Sequence, residues 1–255
     1  MLRSLLPASR RNSCAADQPL DNLRPPYDNR RIHRRRYRHL SPIALWALMA
    51  AVTCLALASS AAAKPPTKAQ LPAMVLPDAA LAAVAPRLPE RFAFSISADE
   101  AAVTTLDPTD TGGDLQRRGR VAGYIRVRAA EPSASQGLLA VSTSVTLFRN
   151  AKAAAAAIER DLGDGKRLVG KSIENGSLVS FTFTRVRSVG AAAVLARTHR
   201  LTDGHDVFVT DGIVRVGQLR GRASVLRGDR RRVDRIVLAL AAKLRQRMVA
   251  AMRSG

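Results

Sequence analysis

Residues 41–63 read SPIALWALMAAVTCLALASSAAA, a run without a single charge that follows directly on RRIHRRRYRH. A run of this length and polarity enters a bilayer, and the arginines crowded ahead of it keep that side in the cytoplasm. It divides the chain into a basic head, residues 1–40, and a body of about 190 residues on the far side of the membrane. Two fates fit the run. Its apolar centre, residues 43–58, suits a signal peptide, and Ala61 and Ala63 supply an A-x-A cleavage site before Lys64. The length of the head, with Met1 the only methionine upstream, favours an uncleaved single-pass anchor. Thr53 ahead of Cys54 departs from a lipobox, which argues against lipidation. Either fate exports the body, as a membrane-held domain or as a secreted one if the chain is cut after Ala63.

The net charge of +21 raises the question of nucleic acid, and its distribution answers it. Residues 1–40 hold ten Arg against three Asp, and residues 217–255 hold eleven Arg or Lys against Asp229 and Asp234. The stretch between the apolar run and residue 217 is only +5. The basicity belongs to two ends, and aromatic side chains do not interleave with it, so a nucleic-acid partner is not expected. Cys14 and Cys54 are the only cysteines and both precede the body, which excludes a disulfide or a thiolate metal site there. With aromatics at 4%, the core must be built mainly of Val, Leu, Ile and Ala.

The head lacks a sustained apolar period and reads as disordered. Residues 64–77, with four prolines, read as a linker, and residues 78–255 as one exported domain. In that domain Asp78 can cap a short helix that Pro86 ends, and RFAFSIS at 91–97 is strand-like. Residues 107–119 read as a loop. Val121, Ile125 and Val127 alternate with Tyr124, Arg126 and Arg128, as a half-exposed strand does. Leu139, Val141, Thr143, Val145 and Leu147 line one side of the next. Asn150 then caps an Ala-rich helix that Gly163 can end. Residues 178–189 and 192–201 are strand-like, and Asp203-Gly204 and Asp211-Gly212 are tight-turn signals. Asp229 can cap a final helix striped by Val233, Ile236, Val237, Leu240, Leu244 and Met248. Two blocks, 120–162 and 178–252, thus each run strands and then a helix. They predict an α+β domain with an antiparallel sheet and helices on one face.

Four constellations bear on chemistry. Residues 165–172, GKRLVGKS, match the P-loop pattern G-x-x-x-x-G-K-S letter for letter. A P-loop follows a buried strand and opens a helix, whereas this stretch follows a helix and precedes a strand, so nucleotide binding is not expected. His199 and His205, with Asp203, Asp206 and Asp211 nearby, could form a metal or acid–base site of a hydrolase, but THRLTDGHDV also reads as a plain hairpin. The body holds no G-x-S-x-G elbow and no cysteine nucleophile. Arg227, Arg230, Arg231, Arg232 and Arg235 crowd the expected start of the last helix, where the dipole disfavours cations. They are the candidate contacts for an anionic partner: a lipid headgroup, an envelope polymer or an acidic envelope protein.

The succession of VSTSVTLFRNAKAAAAAIERDL, DVFVTDGIVRVGQLRGRA and a closing helix, behind an export segment and a Pro-rich stretch, resembles exported α+β modules of high-GC bacteria. These include the extracellular sensor domains of receptor-type serine/threonine kinases and related small lipoproteins. The resemblance implies an envelope binding or sensing module, carries over no functional residue, and departs from those families in lacking their disulfides and lipobox cysteine. The sequence therefore predicts a non-enzymatic, cofactor-free cell-envelope protein whose residues 41–63 meet the membrane, with an extracytoplasmic hydrolase or metal enzyme at His199/His205 as the alternative.

Overall fold

The computed structural model describes residues 65–131, 137–173 and 176–253 of the 255-residue chain, all within one compact unit. The basic head, residues 1–40, and the apolar run, residues 41–63, lie outside the described residues. Among the described residues no helix is long and apolar enough to cross a membrane.

The α+β class and the antiparallel sheet expected from the sequence both form. The strands are β1 (Glu90–Ile96), β2 (Arg120–Ala129), β3 (Leu138–Phe148), β4 (Ser172–Ile173), β5 (Gly176–Arg185), β6 (Val194–Thr202), β7 (His205–Val216) and β8 (Leu219–Arg227). They make one eight-stranded sheet in the order β1-β2-β3-β8-β7-β6-β5-β4. An N-terminal ladder, β1 to β3, and a C-terminal ladder, β4 to β8, meet where β3 pairs with the last strand. The helices are α1 (Leu71–Met74), α2 (Asp78–Ala82), α3 (Ala98–Val103), α4 (Gly112–Arg117), α5 (Ala151–Arg167) and α6 (Asp234–Arg253).

Side chains alternate across a strand, so each strand dresses two faces. On one face Val141, Val145 and Leu147 of β3 and Leu219, Ala223 and Val225 of β8 meet Val237, Leu240, Ala241, Leu244 and Met248 of α6. Two glycines set the approach of that helix. A Cβ on Gly212 would lie 2.8 Å from the Ala241 methyl, and one on Gly221 would lie 2.7 Å from the Met248 sulfur. Ile236, expected in the apolar stripe, is exposed instead. On the opposite face Val194 and Ile213 take Ile158 and Leu162 of α5, with Phe181 and Phe183 beside them.

The two long helices therefore cover opposite faces, where the sequence suggested a single covered face. The reason lies in β6 and β7: Leu195 and Val214 point to α6 while Val194 and Ile213 point the other way, so both faces are apolar there and both need cover. The signal at Asp211-Gly212 is also no turn, since both residues sit inside β7. The chain reverses later, at Gly217 with φ +56°. Asp203-Gly204 does make the expected tight turn, both residues having positive φ (49° and 78°). Residues 107–119 hold a helix rather than only loop. Thr111 and Asp114 form a capping box at the start of α4, a signal masked by the glycines between them.

The Pro-rich stretch 64–77 is not a free linker over the residues described. Leu71, Met74, Val75 and Leu76 are among the most buried side chains of the main core, each at most 2% exposed. Arg126 and Arg128, expected on the solvent side of their strand, hold this segment down. Arg126 Nη1 donates to the Leu76 carbonyl at 2.9 Å, and Arg128 pairs with Asp78 at 2.6 Å while its Nε donates to the Leu88 carbonyl. Apolar content won over proline content, because LPAMVL buries more surface than a solvated linker could leave exposed. Replacing Met74 by Ala should cost about 2–5 kcal/mol of stability in urea titrations of the full chain. A loss below about 0.5 kcal/mol, the size expected at an exposed site, would show that this segment is not core.

Candidate functional site

Strand β8 builds both the core and the site. Its odd positions face α6, and its even positions, Arg220, Arg222, Ser224 and Leu226, face a cavity on the other side of the sheet. The cavity measures about 480 Å³ and lies between the sheet, α5 and the residues of and around α3 and α4. That is the size of a small-molecule pocket. Hydroxyls from Ser142, Ser144, Thr146, Thr198 and Ser224 lie among its lining, and apolar side chains such as Ile96, Ile125, Phe148 and Val209 complete it.

Its electrostatics are unusual for the inside of a fold. Six arginines line it: Arg118, Arg120, Arg160, Arg200, Arg220 and Arg222. Three have carboxylate partners. Arg118 pairs with Asp110, Arg220 Nη1 lies 2.6 Å from Asp161, and Arg222 makes a two-pronged bond to Asp211, Nε at 2.9 Å and Nη2 at 2.6 Å. The Asp211 carboxylate, 3% exposed, also accepts from Ser224 Oγ and holds the Arg222 guanidinium well above its ordinary pKa. The residue read as half of a turn is thus the buried acid of the cavity.

Arg120, Arg160 and Arg200 make no ion pair among the described residues. Arg120 is the most buried of the six, 8% exposed. Its Nη1 donates weakly to Thr146 Oγ1 at 3.3 Å and its Nη2 to the Ile96 carbonyl at 3.4 Å, while Nε has no partner. The side chain lies across Gly123, where a Cβ would come within 2.5 Å of Nη2. Burial pushes its pKa down to about 10, helped by repulsion from Arg220. Arg200 also has a buried Nε without a partner. Burial lowers its pKa, Arg222 lowers it further, and Asp211 opposes the shift. A guanidinium presents five donors and stays charged at neutral pH, so a buried one without an acid is an incomplete anion site.

The residues singled out in the sequence lie elsewhere. The last helix begins at Asp234, not at Asp229, so Arg227, Arg230, Arg231 and Arg232 precede it and only Arg235 falls in its first turn. Arg227 is bound to Asp229, whose carboxylate also accepts from the Arg231 amide. Arg230 rests over the Phe208 ring, and Arg230, Arg231, Arg232 and Arg235 are exposed. His199 Nε2 lies 2.6 Å from Asp206 and the ring stacks on Phe208 at 4.4 Å. His205 belongs to the opposite face, because His199 pairs with Phe208 and His205 with Thr202, three residues on. The two histidines do not converge. No cluster of three or more His, Cys, Asp or Glu among the described residues could hold a metal ion.

In the stretch GKRLVGKS, Gly165 to Arg167 close α5, Gly170 turns with φ +78°, and Ser172 enters β4. This is a helix C-terminus, whose partial negative charge repels phosphate. Gly165 has a packing role: its Cβ would strike the Phe181 ring at 2.6 Å.

No family model matches the chain, and neither does any curated protein. Among solved structures the chain is similar to the extracellular domain of PknH from Mycobacterium tuberculosis, with 12% identity and a TM-score of 0.52. The match covers 73% of this chain and 98% of that one, and at this identity it shows a shared fold.

The unpaired charge has a measurable consequence. A base whose pKa is lower in the fold than in the unfolded chain destabilises the fold at every pH below the folded value, and stability recovers as pH rises beyond about 10. Arg120→Met should therefore stabilise the protein at neutral pH by about 1 kcal/mol or more, read from the urea midpoint. Destabilisation by Met would mean that the contacts to Thr146 and Ile96 outweigh desolvation and that Arg120 is a structural residue.

Proposed function

We propose that this chain is an exported, non-enzymatic binding module of the cell envelope, and that its sheet cavity takes up a small anionic ligand. The observation that carries the reading is Arg120, buried at 8% exposure with no carboxylate partner, seated over Gly123 in a cavity of about 480 Å³. Folds place a buried cation without an acid at a net cost, and a bound anion removes that cost. The export run at residues 41–63 and the fold shared with an extracellular domain support the compartment. His199 and His205 lie on opposite faces of their hairpin and outside the cavity, which does not support the alternative of a hydrolase or metal site built on them. The cavity instead offers donors, which suit capture.

Titration of the full chain with inorganic phosphate, followed by calorimetry, tests the site. Saturable binding should fall at least about tenfold in Arg120→Met, the loss of a charge-assisted contact of about 1.4 kcal/mol. Equal binding by both proteins would remove Arg120 from the reading. The compartment is checked by mass analysis of the N-terminus after cell fractionation. The chain should be recovered from membranes uncut, or outside the cell beginning at Lys64. Recovery of an uncut chain from the cytosol would overturn export.

A further inference from the structure

The cavity charges form two groups. In the first, Arg120 reaches Thr146, Thr146 pairs across the strands with Arg220, and Arg220 sits between the Phe148 ring and Asp161. Arg160, next to Asp161 on α5, lines the same cavity without an ion pair. In the second, Arg222 is held by Asp211, and Arg200 is close enough to feel both of them. Each group contains more guanidinium than carboxylate, and each ends in an arginine whose buried Nε has no partner. One unsatisfied group fits a single anion. Two, on opposite sides of the same cavity, need two.

The sheet keeps the groups apart. Arg220 and Arg222 are next-but-one neighbours on β8, so their Cα atoms stand about 7 Å apart. Arg120 approaches from β2, two strands to one side of β8, and Arg200 from β6, two strands to the other. The lining also includes the hydroxyls of Ser142, Ser144 and Ser224 beside apolar Ile125, Val209 and Leu226, so the body of a ligand finds both polar and apolar surface. We infer that the natural ligand is a small molecule with an anionic group at each end, its charges more than about 7 Å apart, clamped between the Arg120–Arg220 and the Arg200–Arg222 groups. This deepens the single-anion reading above and rests on it.

The probe is a series of linear α,ω-dicarboxylates of increasing chain length, each compared with the monocarboxylate of the same length, titrated into the full chain. Short diacids should bind no better than their monoacids. Beyond a threshold length the diacid should bind at least about tenfold more tightly, because its second carboxylate binds at high effective concentration. Arg200→Gln should shrink that diacid-to-monoacid ratio to below about threefold. Diacids that never surpass their monoacids, while monoacid binding still depends on Arg120, would overturn the two-ended ligand and leave the anion site standing. Loss of Arg120 dependence for every acid would overturn both. If Arg200→Gln fails to fold, the comparison of diacid with monoacid on the unaltered chain still decides.

Discussion

Strand β8 is the hinge of the design, because its alternation commits every second residue to one task. Leu219, Gly221, Ala223 and Val225 receive the C-terminal helix, and Arg220, Arg222, Ser224 and Leu226 form part of the cavity. A slip of one residue against β3 or β7 would send the arginines under α6 and the small apolar side chains into the cavity. Pairing with β3 on one side and β7 on the other holds the register over the length of the strand. The core therefore positions the site directly: Met248 and Leu244 packed on Gly221 fix the strand that carries Arg220 and Arg222.

Gathering six arginines around one cavity, Arg120 buried and the others half-buried, draws on the close packing of the other face. Asp110, Asp161 and Asp211 neutralise three of them, and the remaining excess is tolerated at the expense of the stability that Val141, Val145, Leu219 and α6 provide. The N-terminal segment adds to that reserve, with Leu71, Met74, Val75 and Leu76 closing the core under the clamps of Arg126 and Arg128. The same residue type thus serves two purposes on the two faces of β2. Arg126 and Arg128 find carbonyls and an acid and act as fasteners, while Arg120 finds weak partners and is left to meet a ligand.

Local signals in the chain were legible where they rest on local physics. The alternation of Val141 to Leu147, the cap at Asn150 and the stripe of α6 apart from Ile236 appear in the structure, since each depends on neighbours within a few residues. The site was not legible for the opposite reason. Arg220 and Arg222 fall within the basic C-terminal stretch, residues 217–255, and Asp211-Gly212 has the form of a turn when read alone. In the fold that dipeptide is mid-strand because Gly212 admits Ala241 on one face and Asp211 meets Arg222 on the other. The spacing of LRGRAS did hold a usable signal: two arginines alternating with small residues mark a strand with one crowded face and one charged face.

By itself the sequence determined the uncharged run at residues 41–63, the absence of cysteine from residues 64–255, the α+β class and most strand positions. These follow from composition and short-range periodicity, which act whatever the rest of the chain does. The tertiary structure alone decided the joining of β3 to β8, the division of the helices between two faces, the docking of residues 65–77 and the gathering of Arg120, Arg200, Arg220 and Arg222 around one cavity. Those arginines come from β2, β6 and β8, up to 102 positions apart in the chain, and no local pattern links them. They meet because closing the ladder between β3 and β8 buries the most apolar strand faces together, and that choice is made by packing over the whole domain.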